Sequence, residues 1–432
     1  MKNMMKKNYV AKSLLALVAA GAIVSCKPSL QENSPSNGQA DFSRYVAVGN
    51  SLTAGYADGG LYLEGQQNSF PEILAKQFKA VGGGEFNSPF FAEAQANGSG
   101  YAQLSGFTAT GTPVTSTVTT NLAYVAPGRF AKYEGTFNNF GMPEMKVALL
   151  DAKGYASSNP FFARILGSAG ANSSYLDLVR NQDFTFFTFW EGQNDVLGFA
   201  YSGGSQVLTS TSTFSTYYEM AITTLLGPDK TRKGAIGSVG NVLDLPYFNV
   251  VTLQALKASV ASVAPNAKFY IEKGTGKVDS ALATDKFTLP LSSAGLIGKP
   301  DAAGRPYGLH PQNAIRSNWV LDSEEQALIR TRTIEYNTII KDIALLNKLA
   351  FVDIDDLMRQ FATPKMVNGA ELSTAFITGN IFSLDGIHPT PLGNALTANA
   401  FIKAINQHYN ANVPIVNVAH YRGVKFPGAA AK

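Results

Sequence analysis

No disulfide can close within this chain, because Cys26 is its only cysteine. Histidine is nearly as scarce. His310, His388, His408 and His420 are the four present, so chemistry that needs an imidazole must draw on one of them. Charged side chains make up only 15% of the sequence, which leaves little for long solvated helices. Several reactive-site patterns are missing as well. There is no Gly-x-Ser-x-Gly elbow and no His-Glu-x-x-His, and Gly274-Thr275-Gly276-Lys277 lacks the glycine spacing of a phosphate-binding loop.

The longest apolar segment near the start, Ser13 to Ser25, is too short to span a bilayer. It follows Lys2, Lys6, Lys7 and Lys12 with no acid among them, the pattern of a signal peptide over residues 1–25. Without those four lysines, 31 basic residues face 31 acidic ones. That balance implies neither a nucleic-acid partner nor an anionic surface. Cys26 follows the small-residue end Ile23-Val24-Ser25 and resembles the lipobox of bacterial lipoproteins. The resemblance implies acylation of Cys26 and attachment to a membrane, with the protein in the cell envelope at the outer membrane, facing the periplasm or the surface. Residues 26–41 then read as the lipidated cysteine and a Pro/Ser/Asn-rich tether.

Beyond the tether, Tyr45 to Val48 reads as a short buried strand that stops at Gly49. A helix from Ser69 to about Val81 follows, with Phe70, Ile73, Leu74 and Phe78 on one face. Residues 136–142 read as a second strand, with a helical stretch after Pro143, and residues 176–180 close another helix. Residues 183–190, Asp-Phe-Thr-Phe-Phe-Thr-Phe-Trp, carry bulky side chains on both faces, as a central parallel strand does. Further strands are expected at 238–243 and 350–354, and helices at 214–226, 248–263, 323–349 and 393–409, the third opened by an Asp322/Glu325 capping box. Strands alternating with helices predict a three-layer α/β/α fold with a flavodoxin-like doubly wound parallel sheet over residues 42–412. Two irregular or β-rich insertions, at about 82–135 and 266–320, interrupt it; residue 413 begins a C-terminal extension. The first insertion is long enough to shape a substrate pocket.

Ser51 lies just past the first strand, where ligands bind in such sheets, and is a candidate nucleophile. Asp385 stands three residues before His388, close enough in a tight turn to accept the imidazole N–H and fix its tautomer. Taken singly, each of these is more often an ordinary turn.

Four blocks in order resemble the SGNH, or GDSL-like, hydrolases: Gly49-Asn50-Ser51-Leu52, Asn139-Phe140-Gly141, Gly192-Gln193-Asn194-Asp195 and Asp385-Gly386-Ile387-His388. The resemblance implies a serine ester hydrolase in which Ser51 attacks, His388 moves the proton and Asp385 orients His388. It also implies an oxyanion hole from the Ser51 and Gly141 backbone N–H groups and the Asn194 amide, with no metal or organic cofactor. The substrate would be an ester, whether of a lipid, an acetylated glycan or another acyl group. Asn50 departs from the family's usual aspartate, and Pro143-Glu144 stands where small residues are common. The rival reading is a non-catalytic glycan- or lipid-binding surface lipoprotein on the same scaffold, favoured by 11% aromatic content and the long insertions.

Overall fold

Five strands form the central sheet: β1 (Tyr45–Asn50), β2 (Asn139–Met142), β3 (Phe186–Trp190), β4 (Lys233–Gly237) and β5 (Ala350–Val352). Every pairing is parallel, in the order β5-β4-β3-β1-β2. This is the expected doubly wound arrangement. The computed structural model describes residues 34 to 428 apart from 109, 110, 168, 169 and 171; Cys26 and the signal segment lie outside the described residues.

Side chains of β3 alternate between the two faces and show how both are covered. On one face Trp190 packs against Phe70 and Phe401, and Phe186 against Tyr409. On the other, Phe189 meets Tyr218, and Phe214 stacks on Tyr336 with ring centroids 3.8 Å apart. Helices around the sheet and its carboxyl end include, in chain order after the four-residue α1 (Ser51–Ala54), α2 (Phe70–Phe78), α3 (Gln193–Tyr201), α4 (Thr211–Leu226), α5 (Ser323–Leu346), α6 (Ile354–Gln360) and α7 (Pro391–Tyr409), of which α2, α4, α5 and α7 supply these rings. α2 and α7 cover the first face, α4 and α5 the second. Both halves of the Asp322/Glu325 capping box are formed at the start of α5. Among the described residues no helix is long and apolar enough to cross a membrane.

Several elements differ from the expectation. β4 comes before residues 238–243, in Lys233–Gly237, a stretch with little strand character. Its glycines have a packing reason: a Cβ at Gly234 would run into the Phe187 ring, and one at Gly237 into the Trp190 indole. The helical stretch expected after Pro143 is a short 3-10 turn, Val147–Leu149. The expected 248–263 helix is Leu253–Val260, and it does not cover the sheet. It packs instead with Phe269, Ile271, Phe287 and Ile315 in a separate small core, so the second insertion begins near Val251.

The first insertion contains two antiparallel hairpins, Tyr101–Phe107 with Pro113–Val118 and Tyr124–Ala126 with Arg129–Phe130. Within the unit Ser36–Lys432, segments near both limits of the described residues also pack onto the fold. Gln39 N–H donates to Tyr409 O at 2.8 Å, and Phe42 stacks on Phe78, so the last part of the expected tether is packed structure. Residues past 412 pack back too. Asn399 exchanges two hydrogen bonds with Val416, and Arg422 pairs with Glu64 at 2.6 Å.

Candidate active site

β1 ends at Asn50 and α1 begins at Ser51, so the Ser51 N–H is among the first donors of a helix and has no intrahelical acceptor. The Asn50 side chain caps this turn, accepting from Leu52 N–H at 3.0 Å. Its amide then donates to Gln193 Oε1 at 2.6 Å and Glu191 Oε2 at 3.3 Å. The turns after β1 and β3, neighbours at the switch point of the sheet, are thereby tied together.

At the other end of the chain, residues 383–388 form a closed turn in which Ser383 N–H donates to His388 O at 2.8 Å. Gly386 sits at φ +72°, which only glycine adopts without cost, and this lets the chain double back within three residues. Asp385 Oδ2 accordingly lies 2.8 Å from His388 Nδ1, and His388 Nε2 lies 2.9 Å from Ser51 Oγ. Ser51, His388 and Asp385 thus form one continuous hydrogen-bonded line.

Asp385 is held from several directions. Its oxygens accept from Gly59 N–H at 2.9 Å, Ser383 Oγ at 3.1 Å, and the N–H groups of Ile387 and His388, both at 2.9 Å. Burial pushes its pKa up, but the His388 charge and these bonds outweigh burial and hold the carboxyl at about 2. Asp58 braces the same loop: its N–H donates to Ser383 Oγ, and its carboxylate accepts from Leu384 N–H, both at 2.9 Å. The Tyr56 ring lies over the His388 imidazole, with centroids 4.7 Å apart. None of Asp58, Ser383 and Tyr56 was singled out from the sequence, and only Ser383, two residues from Asp385, was near a recognisable signal.

Asn194 opens α3 and lines the same cavity as Ser51 and His388. One hydrogen of its Nδ2 goes to Met145 O at 2.8 Å, leaving the second available to a ligand. Gly141 is placed differently. Its N–H donates to Asn139 Oδ1 at 2.9 Å, and it lines a second small cavity with Ala54, Gln66 and Pro89. An oxyanion would have to compete with Asn139 Oδ1 for that hydrogen. Glycine is needed there for another reason: a Cβ would collide with the backbone of Thr53 and Ala54 in α1.

Against Asn50, the residue before the nucleophile, lies a buried acid that has no signal in the sequence. Burial, with Asp195 nearby, pushes the Glu191 carboxyl well above the usual range, and the Asn50 amide only partly opposes this. An aspartate at position 50 would place a second carboxyl against it and could not donate to Gln193. The departure at Asn50 therefore has a local cause. The remaining histidines lie apart: His408 meets Lys348 O, His310 accepts from Gln312 N–H, and His420 pairs with Asn417.

The insertions converge on the outer side of the site. Gly111 to Thr115 from the first and Leu289 to Ile297 from the second border a cleft of about 810 Å³ that reaches Asp385.

No curated protein matches the chain. Solved structures similar to it include a putative GDSL-like lipase from Parabacteroides merdae, at 9% identity and TM-score 0.37, covering 86% of this chain and 99% of that one. A lipase/acylhydrolase from Enterococcus faecalis is 10% identical, with TM-score 0.32 and coverage of 86% and 98%. An acetylxylan esterase from Geobacillus stearothermophilus is also 10% identical, with TM-score 0.34 and coverage of 85% and 96%. Likeness this distant carries no argument about activity. The family comparison does: the profile described as GDSL-like Lipase/Acylhydrolase matches residues 45–401, most of the sequence and all four blocks around the site. The chain belongs to the GDSL-like lipase/acylhydrolase family and is a carboxylic ester hydrolase.

Proposed function

We propose that hydrolysis proceeds through an acyl-enzyme on Ser51. His388 Nε2 takes the Ser51 proton as Oγ attacks the ester carbonyl carbon, and Asp385 keeps Nδ1 protonated and stabilises the imidazolium. When the tetrahedral intermediate collapses, the ester C–O bond breaks and His388 passes the proton to the leaving alcohol. Water then attacks the Ser51 ester, with His388 as base, releasing the acid and restoring the serine. The Ser51 N–H and the free hydrogen of Asn194 Nδ2 hold the oxyanion; Gly141 is not among its donors.

The observation that carries this reading is the unbroken line Asp385 Oδ2, His388 Nδ1, His388 Nε2, Ser51 Oγ, with separations of 2.8 and 2.9 Å. A pure binding module has no use for such a relay. The test is hydrolysis of p-nitrophenyl esters by residues 27–432. The wild type turns them over and Ser51→Ala does not; equal rates would reject the mechanism.

We propose also that Cys26 is acylated and holds the enzyme at a bacterial membrane, most simply the outer membrane. The support is the basic, apolar and small-residue succession before it. In a bacterial host fed an alkyne fatty acid, the wild type takes up the label and moves to the membrane fraction. Labelling that persists in Cys26→Ala would contradict the assignment.

A further inference from the structure

The cavity into which Ser51, Asn194 and His388 open continues inward between the carboxyl ends of the strands and the helices α6 and α7. No Asp, Glu, Lys or Arg lines it. Apart from the polar groups around the nucleophile and the hydroxyls of Thr374 and Thr397, its wall is hydrocarbon, indole and thioether, including Trp190, Leu245, Leu357, Met358, Phe361 and Leu396. Two polar atoms of the wall are already satisfied elsewhere: Trp190 Nε1 donates to Ser238 O at 2.9 Å and Thr397 Oγ1 to Gly393 O at 3.0 Å. Water in the inner part would find few partners, and an apolar cavity of this kind favours an apolar occupant.

Its size separates the candidate acyl groups. The cavity holds about 90 Å³ of space open to a water-sized body. That is several times the roughly 10–15 Å³ that a cavity needs to admit one water. An acetyl group has one methyl beyond its carbonyl and would leave most of this surface uncovered. A linear chain of several carbons would cover it.

We propose that this cavity is the acyl-chain pocket and that the enzyme acts on esters of medium-chain fatty acids, about C6 to C10, in preference to acetate. The inference rests on the ester hydrolysis proposed for Ser51 and adds the identity of the acid. The carbonyl sits between Ser51 and Asn194, and the chain lies along Trp190 and the α6 wall. Each methylene added within the pocket contributes about a fourfold gain in kcat/KM, from the burial of one CH₂.

Met358 sets part of the depth. A Cβ at Gly240 would meet its sulfur at less than contact distance, and the next neighbour is 3.7 Å away. Gly240→Ala therefore crowds the thioether and takes up pocket space, whereas Met358→Ala opens it.

The experiment uses residues 27–432 with p-nitrophenyl esters from C2 to C16, for the wild type, Met358→Ala and Gly240→Ala. We expect wild-type kcat/KM to rise from C2 to a maximum between C6 and C10. That maximum moves about two carbons longer in Met358→Ala and shorter in Gly240→Ala. Wild-type activity that is Ser51-dependent but greatest on acetate, with no shift in either variant, would overturn the pocket and leave the hydrolase standing. Binding without turnover separates the two claims: in Ser51→Ala carrying Trp319→Phe, so that Trp190 is the sole tryptophan, octanoate should perturb the fluorescence saturably and acetate should not. Octanoate binding in a wild type that cleaves no ester would keep the pocket and reject the mechanism.

Discussion

Asn50 donates from Nδ2 to Gln193 Oε1 across 2.6 Å, joining the turn that carries Ser51 to the turn that carries Asn194. The same side chain accepts from Leu52 N–H and donates to Glu191, so one buried amide fixes three features of the nucleophile's surroundings.

Asn50→Asp should therefore destabilise the protein. It removes the donor and sets a carboxyl beside Glu191, whose own pKa burial and Asp195 already raise. The new group's folded pKa would be raised in turn, so its penalty is absent below the ordinary aspartate range and grows as pH rises. Urea unfolding should show a loss of roughly 2 kcal/mol at pH 8 and a smaller one at pH 5. Equal losses at both pH values would contradict this.

Asn194→Ala tests the oxyanion assignment. One hydrogen of that amide supports Met145 O, and the other is left for the substrate. Single-donor losses of this kind cost about 10²- to 10³-fold in kcat, with little change in KM. Steady-state kinetics should show that split. A raised KM with unchanged kcat would assign Asn194 to ground-state binding instead.

Asp385→Asn gives a pH-dependent stability effect whose sign is fixed. The wild-type carboxyl is held at about 2, below the ordinary aspartate value of 3.8. Its stabilisation is fully present above that ordinary value and is lost as pH falls through the folded value. Thermal unfolding should place Asp385→Asn on the order of 2 kcal/mol below the wild type at pH 6, with the gap narrowing below pH 3.5. A gap independent of pH would show that the carboxylate is not stabilised by its charge. Activity should fall at least about a thousandfold, because the imidazole loses its orienting partner.

Much of the site could be read in the sequence because its chemistry is local. The Asp385 and His388 spacing needs only a tight turn, and Ser51 needs only a strand that ends in glycine. β3 was legible through its two-sided bulk, and α5 through its capping box. What escaped depends on contacts between distant segments. β4 is hidden because its glycines serve rings on the neighbouring strand, a relation with no signature of its own. That the Gly141 N–H is paired with a side chain two residues earlier is likewise not legible in its block. The second insertion's boundary was missed because Leu253–Val260 has an ordinary apolar face, and the sequence does not say whether that face meets the sheet or a satellite core. Glu191 was missed because it stands one residue before the third block, and neither its burial nor its hydrogen bond from Asn50 has a local signature.

The central claim is that Ser51 is the nucleophile. It is tested most directly by treating residues 27–432 with a fluorophosphonate and mapping the adduct by peptide mass spectrometry. The account predicts one equivalent of label on Ser51, absent in Ser51→Ala and strongly slowed in His388→Ala. Stoichiometric label on any other residue, or none on a folded protein that still hydrolyses esters, would contradict it.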